Sequence, residues 1–258
     1  MNAVRRIGQR TLTICASLGQ SAIFLLQLLR QSDVVLRRPR LLIQQLFSVG
    51  VMTVVIIVIA GLFVGMVLGL QGYNTLVDFG AETSLGLMVA KLLTRELGPV
   101  MTALLFTGRA GSALSAEIGL MKTTEQLAAL EMMAVNPMRR VIAPRYLAAI
   151  ISVPLLAALF NSVGVLGGHL VGVELLGVDS GVYWSAMREG IDIYDDIANG
   201  MIKSIVFGAV IAWIALFQGY TCEPNSAGIS SATTRTVVAG SLAILGLDYI
   251  LTAMMFAQ

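Results

Sequence analysis

Residues 49–70 read VGVMTVVIIVIAGLFVGMVLGL, inside a stretch from 41 to 77 that carries no charged side chain between Arg40 and Asp78. With a rise of ~1.5 Å per residue, about 20 residues cross a hydrocarbon core of ~30 Å, so this stretch is a transmembrane helix with residues to spare. Working outward, the next charge-poor stretches are 146–173, 204–222 and 236–258, the last holding Asp248 as its one charge. A further apolar run at 85–108 is interrupted by Lys91, Arg95 and Glu96. The chain therefore reads as an all-α polytopic membrane protein with about five transmembrane helices, at about 46–71, 85–108, 146–173, 200–220 and from 236 to near the C-terminus. Composition agrees: the chain is 57% hydrophobic and 12% charged, with a mean hydropathy of +0.84, outside the usual globular mix.

Residues 1–40 mix Arg5, Arg6, Arg10, Arg30, Arg37, Arg38 and Arg40 with apolar stretches too short to span, such as Ile23–Leu29. They read as an N-terminal amphipathic segment, interfacial or re-entrant, ahead of a single membrane domain over 41–258. The first apolar run lacks a small-residue cleavage site, so no cleavable signal is expected. Those seven arginines, with Arg109, Lys122, Arg139, Arg140, Arg145 and Arg235, place most of the 17 basic residues on one side. The other side collects Asp78, Glu82, Glu174, Asp179, Glu189, Asp192, Asp195 and Asp196. The asymmetry predicts a cytoplasmic N-terminus. Cys15 and Cys222 are too few for a disulfide framework and too far apart for a metal motif.

The longest extramembrane piece is expected at 109–145. Within it, EIGLMKTTEQLAALEMMAVNP (117–137) pairs Thr123 with Gln126 as a capping box, and Leu127, Leu130 and Met133 recur at helical spacing before Pro137. This predicts an amphipathic helix over about 117–134, either resting on the bilayer or docking a cytoplasmic partner. Glu117, Glu125 and Glu131 suit an anionic inner leaflet poorly, which favours docking. The joint at 221–235, rich in Ser, Thr and Gly and broken by Pro224, reads as a loop, and 181–189 as a short helix.

Glycines recur at Gly61, Gly65, Gly69 and Gly72, and again at Gly164, Gly168 and Gly172. Such small-residue faces serve either tight packing within the chain or a homodimer seam. Glu96, Lys203 and Asp248 are ionisable groups inside apparent spans, where they are costly and usually paired or functional. Glu96 lies 13 residues before Arg109 and Asp248 lies 13 after Arg235. If both arginines mark the cytoplasmic boundary, both carboxylates sit ~20 Å from it, with Lys203 at similar height. The three are expected to form one cluster, with Arg95 as a second cation. It either fixes helix register or handles a polar headgroup. His169, alone in an apolar span, reads as a neutral side chain bonded locally. A proton relay through Glu96, Asp248 and His169, as in a secondary transporter, is the competing reading.

The sequence holds no GxxxxGK[ST], HExxH or GxSxG motif, so no catalytic residue, metal ligand or nucleotide loop is expected in this chain, and nothing points to nucleic acid. The runs GLFVGMVLGLQGY (61–73), AETSLG (81–86), LLTRELGPV (92–100), GRAGSALSAEIGLM (108–121), TEQLAALEMMAVNP (124–137) and SAGIS-ATTRTVV (226–238) resemble the MlaE permease family over about residues 40–257. That family comprises membrane subunits of ABC-type lipid transporters that work with MCE-domain proteins.

The resemblance implies a non-catalytic, homodimeric permease in the inner membrane of a Gram-negative envelope. Its implied partners are an ABC ATPase that binds the ATP, a STAS-domain regulator and a periplasmic MCE hexamer. Its implied cargo is phospholipid, moved between inner and outer membranes to maintain outer-membrane lipid asymmetry. The ATPase would dock on Glu117, Met121, Glu125, Leu127 and Leu130. Lipid tails would need an apolar pocket opening outward. The outer end of the first span offers Leu68, Leu70, Tyr73, Leu76, Val77 and Phe79, with Gly69 and Gly72 leaving room and Arg95 and Glu96 near enough to meet a headgroup. The plainer alternative is that these side chains only pack against neighbouring spans.

Overall fold

A computed structural model describes residues 2–31 and 39–256. Arg37 and Arg38 fall outside them. The described chain is almost wholly helical: α1 (Asn2–Gln31), α2 (Pro39–Val77), α3 (85–123), α4 (Gln126–Met132), α5 (Met138–Leu175), α6 (Ser180–Gly190), α7 (Ile193–Thr221) and α8 (Ser226–Phe256). Four of these, α2, α5, α7 and α8, are long and apolar enough to cross a membrane on their own. The fifth long helix, α3, carries Lys91, Arg95, Glu96 and Arg109 and packs between α5, α7 and α8.

The glycines of α2 pack within the chain. A Cβ on Gly65 would stand 1.9 Å from the carbonyl oxygen of Gly164, and one on Gly69 2.9 Å from that of Gly168. The two backbones therefore touch, which is what a small residue every fourth position permits in lipid. This settles the choice for Gly61, Gly65 and Gly69, which are consumed by the α2–α5 contact and unavailable as a homodimer seam. At its other end α2 bends through Gly50 into a 3-10 turn at Val51–Thr53.

Three boundaries differ from those the sequence predicts, each for a readable reason. The helix that carries the second span does not stop near 108, because α3 continues to Thr123. Arg109 Nη1 donates to Ser48 O (3.0 Å) and Thr53 Oγ1 (3.2 Å), and Lys122 Nζ to Tyr220 O (2.9 Å) and Cys222 O (2.8 Å). These cations serve neighbouring helix ends, the second as a C-cap of α7, so they do not mark where their own helix stops. The expected helix over 117–134 is consequently split, since 117–123 finishes α3. The capping box does not form: Thr123 Oγ1 donates back to Gly119 O (2.9 Å), and Glu125 takes a left-handed φ of 57° that starts the separate α4. A Schellman closure ends α4, with Val135 N–H donating to Leu130 O and Ala134 N–H to Glu131 O, and Ala134 at φ 58°.

The third boundary is the 221–235 joint, of which only 222–225 lies outside helix. Asn225 Oδ1 accepts from Gly228 N–H and caps α8. The hydroxyls that made the segment look like loop are spent inside the helix, Thr233 and Thr234 both on Ser230 O (2.8 and 3.0 Å).

At the N-terminus, α1 docks on the bundle through its second half. Phe24 and Leu28 are buried, Phe24 packs on Phe217 and Tyr220, and Trp213 Nε1 donates to Ser21 O (3.0 Å), while Leu18, Leu26 and Leu29 stay exposed. Antiparallel alternation of the long helices puts Lys122, Arg139, Arg140, Arg145 and Arg235 toward one end of the bundle. The ends of α2 and α5, with α6 and the start of α7, put Asp78, Glu82, Glu174, Asp179, Glu189, Asp192 and Asp195 toward the other.

Candidate functional site

α3 widens into a π turn at Leu93–Leu97, with Pro99 two residues beyond it. Proline has no N–H to offer, so the carbonyl four residues back, on Arg95, loses its usual helical donor. Lys203 of α7 takes that place, its Nζ donating to Arg95 O at 3.1 Å. The same ammonium reaches Glu96 Oε2 (3.2 Å), Asp248 Oδ1 (3.2 Å) and Thr252 Oγ1 (2.7 Å). Thr252 in turn donates to the Glu96 carboxylate at 3.3 Å. Glu96, Lys203 and Asp248 thus meet, and they tie α3, α7 and α8 together at one height.

Burial divides the roles inside this cluster. The Lys203 side chain is 0% exposed, whereas Glu96 keeps 35% and Asp248 22% of theirs. Beside it, Arg95 Nε pairs with the fully buried Asp196 at the start of α7, and Asp196 also accepts the N–H of Asp192 at 2.9 Å. The ensemble carries two cations and three carboxylates. Sequence reasoning missed Asp196 and Thr252. Thr252 lies one helical turn beyond Asp248 and could have been found by that spacing. Asp196 reads as one more acid of an outer loop and gives no such signal.

At the acidic end of α2, Leu68, Tyr73 and Leu76 are half-buried against the core, while Leu70, Val77 and Phe79 are exposed, Phe79 at 81%. The room expected beside Gly69 and Gly72 is filled. Gly168 lies against the first, and Leu85 and Met88 approach a Cβ on the second to 3.0 and 3.5 Å. The six side chains therefore divide, three against the core and three exposed.

At the basic end the five expected docking residues also divide. Glu117 pairs with Arg145 (3.2 Å), Met121 and Leu130 are half-buried, Leu127 is buried, and Glu125 is exposed at the break before α4. The side chains presented at the C-terminal end of α4 include Met132, 90% exposed, and Met133 just beyond it. His169 is held locally, its Nε2 3.2 Å from Ser180 Oγ and its ring against Tyr183 and Trp184. Burial pushes the Tyr183 phenol up to about 12, and its O–H donates to Val165 O. No group of three or more metal-ligating side chains occurs among the described residues.

Comparison with known proteins adds to this geometry. Residues 42–254 match the family described as Permease MlaE. The chain is 55% identical to the intermembrane phospholipid transport system permease protein MlaE of Haemophilus influenzae, over 99% of this chain and 98% of that protein. It is 35% identical to a probable ABC transporter permease protein of Rickettsia bellii, over 99% and 98% of the two chains. It is 36% identical to one of Synechocystis, over 83% and 81%.

Proposed function

This chain belongs to the MlaE permease family, and from that premise we propose that it is the non-catalytic permease of an ABC transporter moving phospholipids between the inner and outer membranes, so maintaining outer-membrane lipid asymmetry. The observation that carries this is the near full-length identity of 55% to a protein named as an intermembrane phospholipid transport permease. The working unit is a homodimer in the inner membrane of a Gram-negative bacterium, with the N-terminus and the basic end of the bundle in the cytoplasm. ATP is bound and hydrolysed by a separate ABC ATPase. A STAS-domain regulator joins that side, and a periplasmic MCE hexamer receives or delivers lipid at the acidic end.

Three features support the assignment of roles. Exposed Glu125, Glu131, Met132 and Met133 offer the ATPase an acidic, methionine-rich surface around α4. Exposed Leu70, Val77 and Phe79, brought together with their counterparts across a dimer axis, offer lipid tails an apolar wall. Glu96 and Arg95 keep partial exposure beside the ion cluster and can meet a headgroup. The proton-relay reading is not favoured, since His169 bonds Ser180 while Glu96 and Asp248 share Lys203, and no hydrogen bond among the described residues links the two groups. Gentle isolation of the tagged chain, with mass spectrometry of what accompanies it, tests the reading. An ABC ATPase and bound phospholipid are expected. Isolation of the intact chain with neither would count against it.

A further inference from the structure

A cavity of about 490 Å³ opens on the side of the bundle, walled by α3, α5, α6 and α7 toward the acidic end. It contains none of the six α2 side chains considered above. Its volume falls within the ~300–1,000 Å³ of ordinary ligand pockets. The void exists because the facing positions are small: Ala157, Ala158 and Ser162 on α5, and Gly200 and Ser204 on α7. Gly200 could not be larger, as its Cβ would stand 2.2 Å from Thr94 O.

The wall is more apolar than its residue types suggest. Ser162 donates to Ala158 O, Ser204 to Gly200 O and Thr94 to Ala90 O, so each of these hydroxyls is spent within its own helix. The amide oxygen of Asn161 is turned against Gly98, 1.7 Å from where a Cβ there would stand. What remains toward the space is Val165, Leu166, Met187, Ile197 and Met201, with Trp184 at the rim and the Asn161 amide, whose oxygen has no hydrogen-bond partner, as a polar group in the lining. Aromatic side chains of that kind favour the membrane–water boundary. Along α5 the lining runs from Ala157 to Leu166, ~13 Å at ~1.5 Å per residue. One leaflet of a ~30 Å hydrocarbon core is ~15 Å deep.

We infer that this cavity holds one acyl chain of a bilayer glycerophospholipid, taken sideways from the leaflet on the acidic side. The mouth, formed by Ala158, Ser162, Leu166 and Ile197, is exposed to whatever surrounds the helices, and in a bilayer that is lipid tails. A partner's transmembrane helix is ~10 Å across and needs a groove running the height of the bundle. The lining of this pocket spans only two to three turns of α5, from Ala157 to Leu166. The site is separate from the pocket of the proposed function and does not depend on it.

The test reconstitutes the full chain in vesicles of phosphatidylethanolamine and phosphatidylglycerol, doped with a phosphatidylethanolamine bearing a diazirine midway along one acyl chain. After irradiation, labelled residues are mapped by peptide mass spectrometry. Labelling of Met201 and Met187 is expected to exceed that of the outward Phe63 and Val67 on α2 at least threefold. Ala158→Trp, which fills the mouth, should cut the Met201 label at least fivefold and leave the α2 label unchanged. Ser162→Phe provides the same test should Ala158→Trp not insert. Labelling of Met201 no greater than that of Phe63 overturns the inference. So does labelling indifferent to both substitutions, or capture of a polypeptide rather than lipid by a photoreactive residue at Leu166.

Discussion

Lys203→Met removes the ammonium at the centre of the ion cluster while keeping a similar apolar stem. The three N–H groups shared among Glu96, Asp248, Thr252 and the Arg95 carbonyl are lost at once, and Glu96 keeps the Thr252 hydroxyl as a donor. Breaking a buried ion pair by deleting one partner costs about 3–5 kcal/mol. Partial solvation of Glu96 (35%) and Asp248 (22%) softens this, so about 2–4 kcal/mol is expected here. In a chain of this size that corresponds to a drop in melting temperature of roughly 5–15 °C. The double variant Lys203→Met with Asp248→Asn removes one of the two stranded carboxylates, so it should recover part of the loss even though it deletes more of the native cluster. The assay is thermal unfolding of purified protein, followed by loss of the monodisperse peak in size-exclusion chromatography. Lys203→Met as stable as the native chain would refute the reasoning. A double variant less stable than the single by the full effect of Asp248→Asn alone would refute it equally.

Gly65→Leu should prevent the α2–α5 contact, because even a Cβ would stand 1.9 Å from Gly164 O; a sharp fall in the monodisperse fraction after solubilisation checks this, whereas Gly80→Ala, at an open turn of φ +62°, should cost about 1 kcal/mol. Replacing Met132 and Met133 together by Asp should weaken retention of the ATPase at least tenfold in co-purification without affecting insertion, since neither side chain is buried. Leu127→Asp, by contrast, buries a charge and should destabilise the chain itself by about 2–4 kcal/mol, seen as a lower melting temperature with or without the ATPase. Leu70→Asp should abolish lipid transfer while the chain still inserts and runs as a monodisperse species, measured by size-exclusion chromatography and transfer assays on the same preparation.

The helical bundle was legible from charge-free runs because a bilayer leaves the backbone few alternatives. The meeting of Glu96, Lys203 and Asp248 could likewise be anticipated, since three buried charges at matching depth have few partners but one another. What misled was local chemistry that serves a neighbour. Arg109 looked like a boundary marker but braces α2, Lys122 looked like one more charge of a polar segment but caps α7, and the hydroxyls of 226–235 looked like loop residues but bond within α8. Thr123 and Gln126 have the spacing of a capping box, yet Thr123 is held by its own helix, which no local pattern reveals. In the sequence the acidic end of α2 reads as one apolar surface. Which of its side chains turn inward is decided by the rotation of α2 against α5, set by glycine contacts across the bundle.

The central claim is that this chain carries phospholipid under the control of a separate ATPase. The most direct measurement is transfer of a fluorescent phospholipid in proteoliposomes holding the permease with its co-purified ATPase. Transfer should require ATP, stop when the ATPase carries a substitution that blocks hydrolysis, and be indifferent to a pH gradient. Transfer that follows an imposed pH gradient without nucleotide, or that persists with the inactive ATPase, would contradict it.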